Sequence, residues 1–288
     1  MSAPSALVAP DAELVGRRSK AAWLKNPALA SGCALLGLIV AVVVLAPVIS
    51  GYPPDSQDLF HVLSGPSSAH LLGTDELGRD VLSRLLYAGR VDIAIGVAAV
   101  VAPFCLGSVL GLLAGYCGGA VDLAIMRLLD IVVAFPFYVL VIAIVFALGA
   151  GTGSIFIAIT LVAWVSYTRI VRGEVLVAKR LGYVQAAKAA GFSTPRILAR
   201  HLLPNVVGQA VVYAMSDIVL TILAVVTLGY LGLGVQPPTP EWGAMMQSGS
   251  EFLRVHPLLA TAPGLAVVLT GFALSLIGDG LSAELRRS

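Results

Sequence analysis

Charged residues are scarce in this chain: Asp, Glu, Lys and Arg make up 12% of its 288 residues, and hydrophobic residues make up 58%. A soluble domain usually holds about a quarter charged residues and under half apolar ones. A water-soluble core of this length could not hide so much apolar surface. The composition therefore argues against a soluble enzyme, a disordered chain and a secreted disulfide scaffold, and predicts an integral membrane protein.

Catalytic and metal-binding signatures are also missing. The three cysteines, Cys33, Cys105 and Cys117, are an odd number without paired spacing, so neither a disulfide framework nor a metal site is predicted. No G-x-x-x-x-G-K-[ST] loop occurs, so we do not expect this chain to bind ATP. The formal net charge of +2 gives no indication of a nucleic-acid partner. We predict no enzymatic activity and no cofactor on this chain.

Six apolar segments are long enough, or nearly so, to cross a hydrocarbon layer of about 30 Å at about 1.5 Å per residue. Because backbone polar groups find no water partner in lipid, each segment is predicted to be a helix. The expected fold class is an all-α integral membrane protein with six transmembrane helices in a domain over residues 29–280. The six segments are residues 29–49, 92–115, 124–148, 154–172, 206–231 and 258–278.

Lys and Arg are distributed unevenly between the connections. Fourteen of the 18 fall on one side of the predicted helices, in the tails 1–28 and 281–288, in the loop 173–205, and at Arg127, Arg169 and Arg172 at the edges of the spans. The positive-inside rule places this side in the cytoplasm, with both termini. The other four, in the outer segments 50–91 and 235–257, are Arg79, Arg84, Arg90 and Arg254.

The inner loop 173–205 has the pattern of a helical hairpin. Residues 183–190 favour helix, and Gly191 supplies a left-handed stop. Thr194 is predicted to cap a second helix with Pro195 in its first position, until Pro204 disturbs it.

Two interpretations of this hairpin follow from its composition. Ala186, Ala187 and Ala190 would give it a small-residue surface that lets the backbone of another protein come close. The alternative is an ordered basic loop lying against anionic lipid.

Several motifs then point to a known family. The stretch from Gln185 to Pro204, Q-A-A-x-x-x-G followed by H-L-L-P, resembles the coupling motif of ABC importer permeases. The stretches H-L-L-G-T-D-E-L-G-R-D from His70 and L-G-L-G-V-Q-P-P-T-P-E-W-G from Leu231 resemble the second permease subunit of the dipeptide, oligopeptide and nickel branch. The terminal G-D-G-L from Gly278 is also typical of that branch.

The resemblance implies the MetI-like fold of a type I ABC importer permease in the cell membrane. It implies four kinds of partner: a second homologous permease subunit, two ATPase subunits (or one fused) that bind ATP and Mg, an extracytoplasmic binding protein and a peptide substrate. Each permease would insert a coupling helix into a groove on an ATPase subunit. By match to the motif, the coupling residues are Gln185, Ala186, Ala187, Gly191, Leu203 and Pro204.

Asp130 and Asp217 fall well inside the predicted spans. Asp130 follows Arg127 by three residues, a spacing at which an ion pair forms on a helix. Asp217 lies near mid-membrane, where an unpaired Asp costs about 2.5–3.5 kcal/mol. It is therefore predicted to line the translocation pathway or, as the alternative, to make a hydrogen bond to Ser or Thr of another helix.

Other choices stay open at this level. Thr74 to Arg90 is predicted to be an outer helix with acids early and bases late. Trp242 belongs either to an outer gate or to an interfacial anchor. An ion-coupled carrier or channel competes with the permease, although the ordered inner loop would then have no role. The substrate is predicted to be a di- or oligopeptide, with nickel complexes, glutathione and haem as alternatives.

Overall fold

The computed structural model describes residues 26–287, with side chains up to residue 283. Most of the predicted tail 1–28 therefore lies outside the described residues. Within them, five helices are long and apolar enough to cross a membrane, and a bent helix pair supplies a sixth segment. The helices are α1 (Pro27–Val44), α2 (Ala46–Ile49), α3 (Val81–Cys117), α4 (Gly119–Val133), α5 (Phe137–Leu148), α6 (Thr152–Ala178), α7 (Gly182–Ala189), α8 (Thr194–Arg196), α9 (Leu203–Tyr230), α10 (Trp242–Ser250) and α11 (Leu258–Arg287), with a π-helical turn at Ile197–Leu202 between α8 and α9.

The third predicted span is bent rather than straight. α4 and α5 meet at an angle of 86° across residues 134–136, where a single helix over 124–148 was predicted. Pro136 explains the break: its ring disfavours helical backbone at Phe135, and Pro136 itself stands at the start of α5. α4 and α5 therefore run in different directions and do not form one straight span.

The predicted outer helix from Thr74 is wrong in its first part. Residues 74–80 form a turn that is held by Asp75, which accepts hydrogen bonds from the backbone N–H groups of Leu77 (3.0 Å) and Arg79 (2.9 Å). The Arg79 guanidinium closes the turn with an ion pair to Asp75 at 2.7 Å. The helix begins only after Asp80, whose side chain caps it by accepting from Ser83 N at 2.7 Å.

α3 then runs without interruption for 37 residues, about 55 Å at the usual helical rise. It joins the outer segment to the predicted span 92–115 and lies along α6. Three glycines at four-residue spacing, Gly107, Gly111 and Gly115, let the two backbones approach. A Cβ at Gly111 would lie 2.7 Å from the carbonyl oxygen of Thr168 on α6. Close approach through small residues is the usual way in which apolar helices associate in lipid.

The two ends of the described chain lie on the same side of the bundle. α1 packs against α11, where Gly32 faces Leu276, and Asn26 donates a side-chain hydrogen bond to the carbonyl oxygen of Gly280 at 3.1 Å. α11 continues past residue 280 to Arg287, through the predicted tail 281–288. This arrangement agrees with six crossings, in which the bent pair of α4 and α5 counts as one.

Candidate functional site

The first arm of the helical hairpin (residues 182–205) has the predicted form. α7 ends at Ala189, and Gly191 has φ of +74°, a left-handed conformation that favours glycine. The Gly191 N–H donates to Lys188 O at 3.0 Å, and the Phe192 N–H donates to Ala187 O at 3.2 Å. The predicted helix and its left-handed stop are confirmed.

The second arm differs from the prediction. Ser193, rather than Thr194, precedes α8, and no side chain caps that helix. The helix does not stop before Pro204 either, because the π-helical turn at Ile197–Leu202 leads directly into α9, where Pro204 occupies the first turn and needs no N–H partner. A 37-residue helical unit, Thr194–Tyr230, therefore connects the hairpin to the far side of the bundle.

Stacked side chains hold the hairpin together and fix it to the bundle. The rings of Phe192 and His201 stack at 5.5 Å with an interplanar angle of 6°, and the Arg196 guanidinium lies 4.2 Å from the Phe192 ring centre. The Lys188 ammonium lies 4.9 Å from the ring centre of Tyr116 at the end of α3. The hairpin is thus attached to both α3 and α9.

The predicted coupling residues divide into two groups. Gln185, Ala186, Gly191 and Pro204 are exposed, and Leu203 is half-buried. Ala187 is only 6% exposed, so its predicted place in the small-residue surface is wrong. The reason is helical spacing, which puts Ala187 on the same face as the fully buried Val184, three residues earlier.

Gln185 faces its own chain. Its side-chain N–H donates to the carbonyl oxygen of Lys179 at 2.7 Å, which ties α7 back to the end of α6. The residue as a whole is exposed. Gln185 therefore links α6 to the hairpin and is also available to a partner.

Asp217 lies inside the helix bundle, with 6% of its surface exposed. The Tyr167 hydroxyl of α6 donates to its Oδ2 at 2.7 Å. The Tyr167 ring packs edge-on against Phe104 of α3 at 5.5 Å and Tyr213 of α9 at 5.1 Å. This helix-to-helix bond has the form of the predicted structural alternative, with Tyr as the donor in place of Ser or Thr.

A cavity of about 410 Å³ opens beside this cluster. It lies at the bend between α4 and α5 and reaches α6 and α9. Asp217 does not line this cavity, but Tyr213 forms part of its wall and contacts Tyr167, which donates to Asp217. The polar and aromatic lining residues are Phe135, Phe137, Tyr138, Ser166 and Tyr213.

Two ion pairs involve α4, the first helix of the bent pair. The predicted Arg127–Asp130 pair is present at 3.7 Å, with both side chains largely exposed. Sequence analysis did not find a shorter pair, in which Arg172 of α6 donates two hydrogen bonds of 2.6 Å to the carboxylate of Asp122 on α4. Fifty residues separate these partners, and no local pattern predicts their contact.

The outer segment 235–257 is anchored by Trp242. This side chain is 1% exposed, and its ring N–H donates to Leu85 O of α3 at 3.0 Å. The interfacial-anchor interpretation of Trp242 is therefore wrong, because a residue of that kind would face the lipid headgroups. Glu241, immediately before it, is fully buried beside Asp92 of α3, and sequence analysis drew attention to neither acid. A carboxylate at the edge of an apolar run was the available signal for Asp92.

Comparison with known proteins places this architecture in a single family. Residues 107–287 match the family described as "Binding-protein-dependent transport system inner membrane component". The glutathione transport system permease GsiD of Pectobacterium atrosepticum is 40% identical over 258 residues, covering 89% of this chain and 85% of that protein. The oligopeptide transport system permease OppC of Escherichia coli K12 is 40% identical over 261 residues, covering 90% of this chain and 86% of that protein. Among solved structures, the inward-facing MetNI methionine ABC transporter has a TM-score of 0.49 at 18% identity, covering 65% of this chain and 91% of the other.

Proposed function

This chain belongs to the family of binding-protein-dependent transport system inner membrane components, and we propose from this that it forms half of a peptide translocation pathway driven by separate ATPase subunits. It is a multi-pass membrane permease subunit of an ABC importer. The finer points are proposals: both termini and the hairpin face the cytoplasm, ATP and Mg bind to the ATPase subunits, and a second permease subunit completes the pathway.

The observation that carries the proposal is the continuity of the hairpin with α9. Thr194–Tyr230 forms one helical unit, so a displacement of the hairpin is transmitted along a helix instead of being absorbed in a flexible loop. The far end of α9 contacts the outer segment, where Gly243 lies against the backbone of Val226 and Tyr230. An ATPase that moves the hairpin would thereby move the outer side of the pathway.

The docking surface of the hairpin is small and uncharged at its centre. Ala186 and Ala190 are exposed, whereas Val184 and Ala187 are buried on the opposite face of α7, which packs on the π-helical turn. Such a surface lets the backbone of a groove on an ATPase subunit approach α7 closely. Gln185 would offer a neutral hydrogen bond to that groove.

Di- and oligopeptides are the proposed substrates. The oligopeptide permease at 40% identity supports this, and the cavity at the α4–α5 bend has both apolar walls and hydroxyl groups for a peptide. Asp217 is proposed to act on the pathway indirectly, by holding Tyr167 and so the Tyr213 wall of the cavity. The glutathione permease at equal identity favours glutathione, itself a tripeptide, as the second candidate.

The test is uptake by the complete complex in proteoliposomes, with its binding protein and ATPase subunits. We expect ATP-dependent uptake of a labelled dipeptide, and competition by unlabelled glutathione would distinguish the two substrates. Ala186→Arg should abolish uptake and weaken retention of the ATPase subunits, because a long charged side chain blocks close approach. Ala120→Arg, at an exposed alanine outside the hairpin, is the control. Unchanged uptake and ATPase retention in Ala186→Arg would refute the docking role.

A further inference from the structure

Two carboxyl groups face each other at the outer end of the bundle. Asp92 belongs to α3 and Glu241 to the outer segment, and both are 0% exposed. Their side chains lie within hydrogen-bonding reach of each other. Two negative charges in such contact, away from water, are strongly unfavourable, so the pair must hold at least one proton.

The hydrogen bonds around Glu241 are those of a carboxylate. Its Oε1 accepts from the backbone N–H of Gly243 at 2.7 Å, and its Oε2 accepts from that of Ala244 at 2.8 Å. Both bonds cap the first turn of α10, where the helix dipole also favours a negative charge. Burial raises the pKa of Glu241, and these two N–H groups oppose that rise.

The surroundings of Asp92 are those of a protonated acid. Its Oδ2 accepts from the Trp242 backbone N–H at 2.9 Å. Its Oδ1 is buried and has no hydrogen-bond partner among the described residues, although such orphaned atoms are rare. A proton on this carboxyl group would turn it from an acceptor into a donor, and the neighbouring Glu241 is an available acceptor.

No cation offers an alternative account within the described part of the chain. Neither carboxyl group takes part in a salt bridge there. The residues in contact with the pair are Trp242, Gly243 and Ala244 of α10, through their backbone N–H groups, and Gly229 of α9, none of which titrates. Glu241 is thus the charged group that acts on Asp92.

We propose that Asp92 retains a proton at neutral pH and donates it in a hydrogen bond to Glu241, and that this shared proton clamps the outer segment 235–257 to α3 and α9. The clamp joins three elements because Glu241 also lies directly against Gly229 of α9, which leaves no room for a Cβ there. Asp92 and Glu241 act as positioning residues that fix where the outer segment closes the bundle. The assignment of the proton does not depend on the proposed function. Of the experiments below, only the uptake assay rests on the proposed function.

Conservative variants separate the two acids. In Asp92→Asn the amide N–H replaces the acid proton toward Glu241, and the amide oxygen still accepts from Trp242 N–H. We expect thermal stability and uptake of the purified complex to stay close to wild type. Glu241→Gln places an amide NH₂ against a backbone N–H donor, so we expect clear loss of stability, as in Asp92→Ala. An Asp92→Asn variant that fails to assemble, or a Glu241→Gln variant that matches wild type, would overturn the assignment.

The pH dependence provides a readout that packing alone would not affect. The folded chain holds a proton on Asp92 that the unfolded chain releases, so stability falls as pH rises above the unfolded pKa of an aspartic acid. We expect the thermal stability of the wild-type complex to decline more steeply between about pH 6 and about pH 9 than that of Asp92→Asn. Infrared spectra of the wild type should show the carbonyl stretch of a protonated carboxylic acid that Asp92→Asn lacks. Equal pH slopes, or no such band, would refute the proposal.

Discussion

Removing the Tyr167 hydroxyl tests how a buried acid is tolerated at membrane depth. Tyr167→Phe keeps the ring contacts with Phe104 and Tyr213 but takes away the 2.7 Å hydrogen bond to Asp217. A hydrogen bond to a charged group contributes about 1.5–3 kcal/mol. We therefore expect a loss of about 2 kcal/mol, which corresponds to a fall in Tm of about 4–8 °C for a chain of this size. Thermal unfolding of the purified complex in detergent measures this shift.

A double-mutant cycle identifies the source of that loss. Asp217→Asn removes the charge and leaves an amide oxygen that still accepts from Tyr167, so it should destabilise less than Tyr167→Phe. In the Asp217→Asn background, Tyr167→Phe should cost clearly less than in the wild type, because no charge is stranded. Tyr230→Phe, at an exposed tyrosine, is the control and should be neutral. An equal cost of Tyr167→Phe in both backgrounds would show that the bond to a charged Asp217 is not what stabilises the bundle.

Three further substitutions probe other contacts. Gly111→Leu should prevent α3 from packing on α6 and lower the amount of assembled complex several-fold. The control Gly37→Leu, at a glycine with open space around it, should leave that amount unchanged. Western blots of membranes compare the two variants. Gly191→Ala should lower the stability of the left-handed turn by about 1–2 kcal/mol and reduce uptake. Gly191→Asn should reduce uptake less, because Asn tolerates this conformation better. Equal uptake by the two variants would contradict this reasoning. Asp122→Asn should lower Tm because it weakens the ion pair with Arg172, which has two hydrogen bonds. An equal fall in Tm in Arg172→Gln would show that the pair acts as a unit. An unchanged Tm in both variants would refute the stabilising role of the pair.

The features that sequence analysis predicted correctly depend on neighbours along the chain. Long apolar runs with few charges predict membrane helices wherever they occur, and residues 26–287 contain five such helices and one bent pair. The end of α7 at Gly191 was predictable because a left-handed residue after a helix is a property of that position alone. The Arg127–Asp130 pair belongs to the same class, since three residues of helix bring the two side chains together.

The wrong predictions arose where the composition of a segment did not reveal how its residues contact one another or their neighbours. Pro136 carried a signal for the bend, but the predominantly apolar composition of 124–148 led to the prediction of a single span. The turn at residues 74–80 replaced a predicted helix because Asp75 binds backbone N–H groups and Arg79 at once, which a composition pattern does not reveal. Ala187 was assigned to the exposed surface together with Ala186 and Ala190 because composition does not show which side of α7 packs on the π-helical turn.

The amino-acid sequence alone determined the environment of this protein, its helical class, its family and the hairpin that is proposed to couple it to its partners. Only the tertiary structure decided which polar groups meet inside the bundle: Tyr167 with Asp217, and Asp92 with Glu241, which are 149 residues apart in the chain. Hydropathy and turn signals act over a few residues, so they can be read along the chain. The partner of a buried acid is set by which helices pack together, and that is decided by contacts such as the one between Gly111 and α6, far apart in sequence.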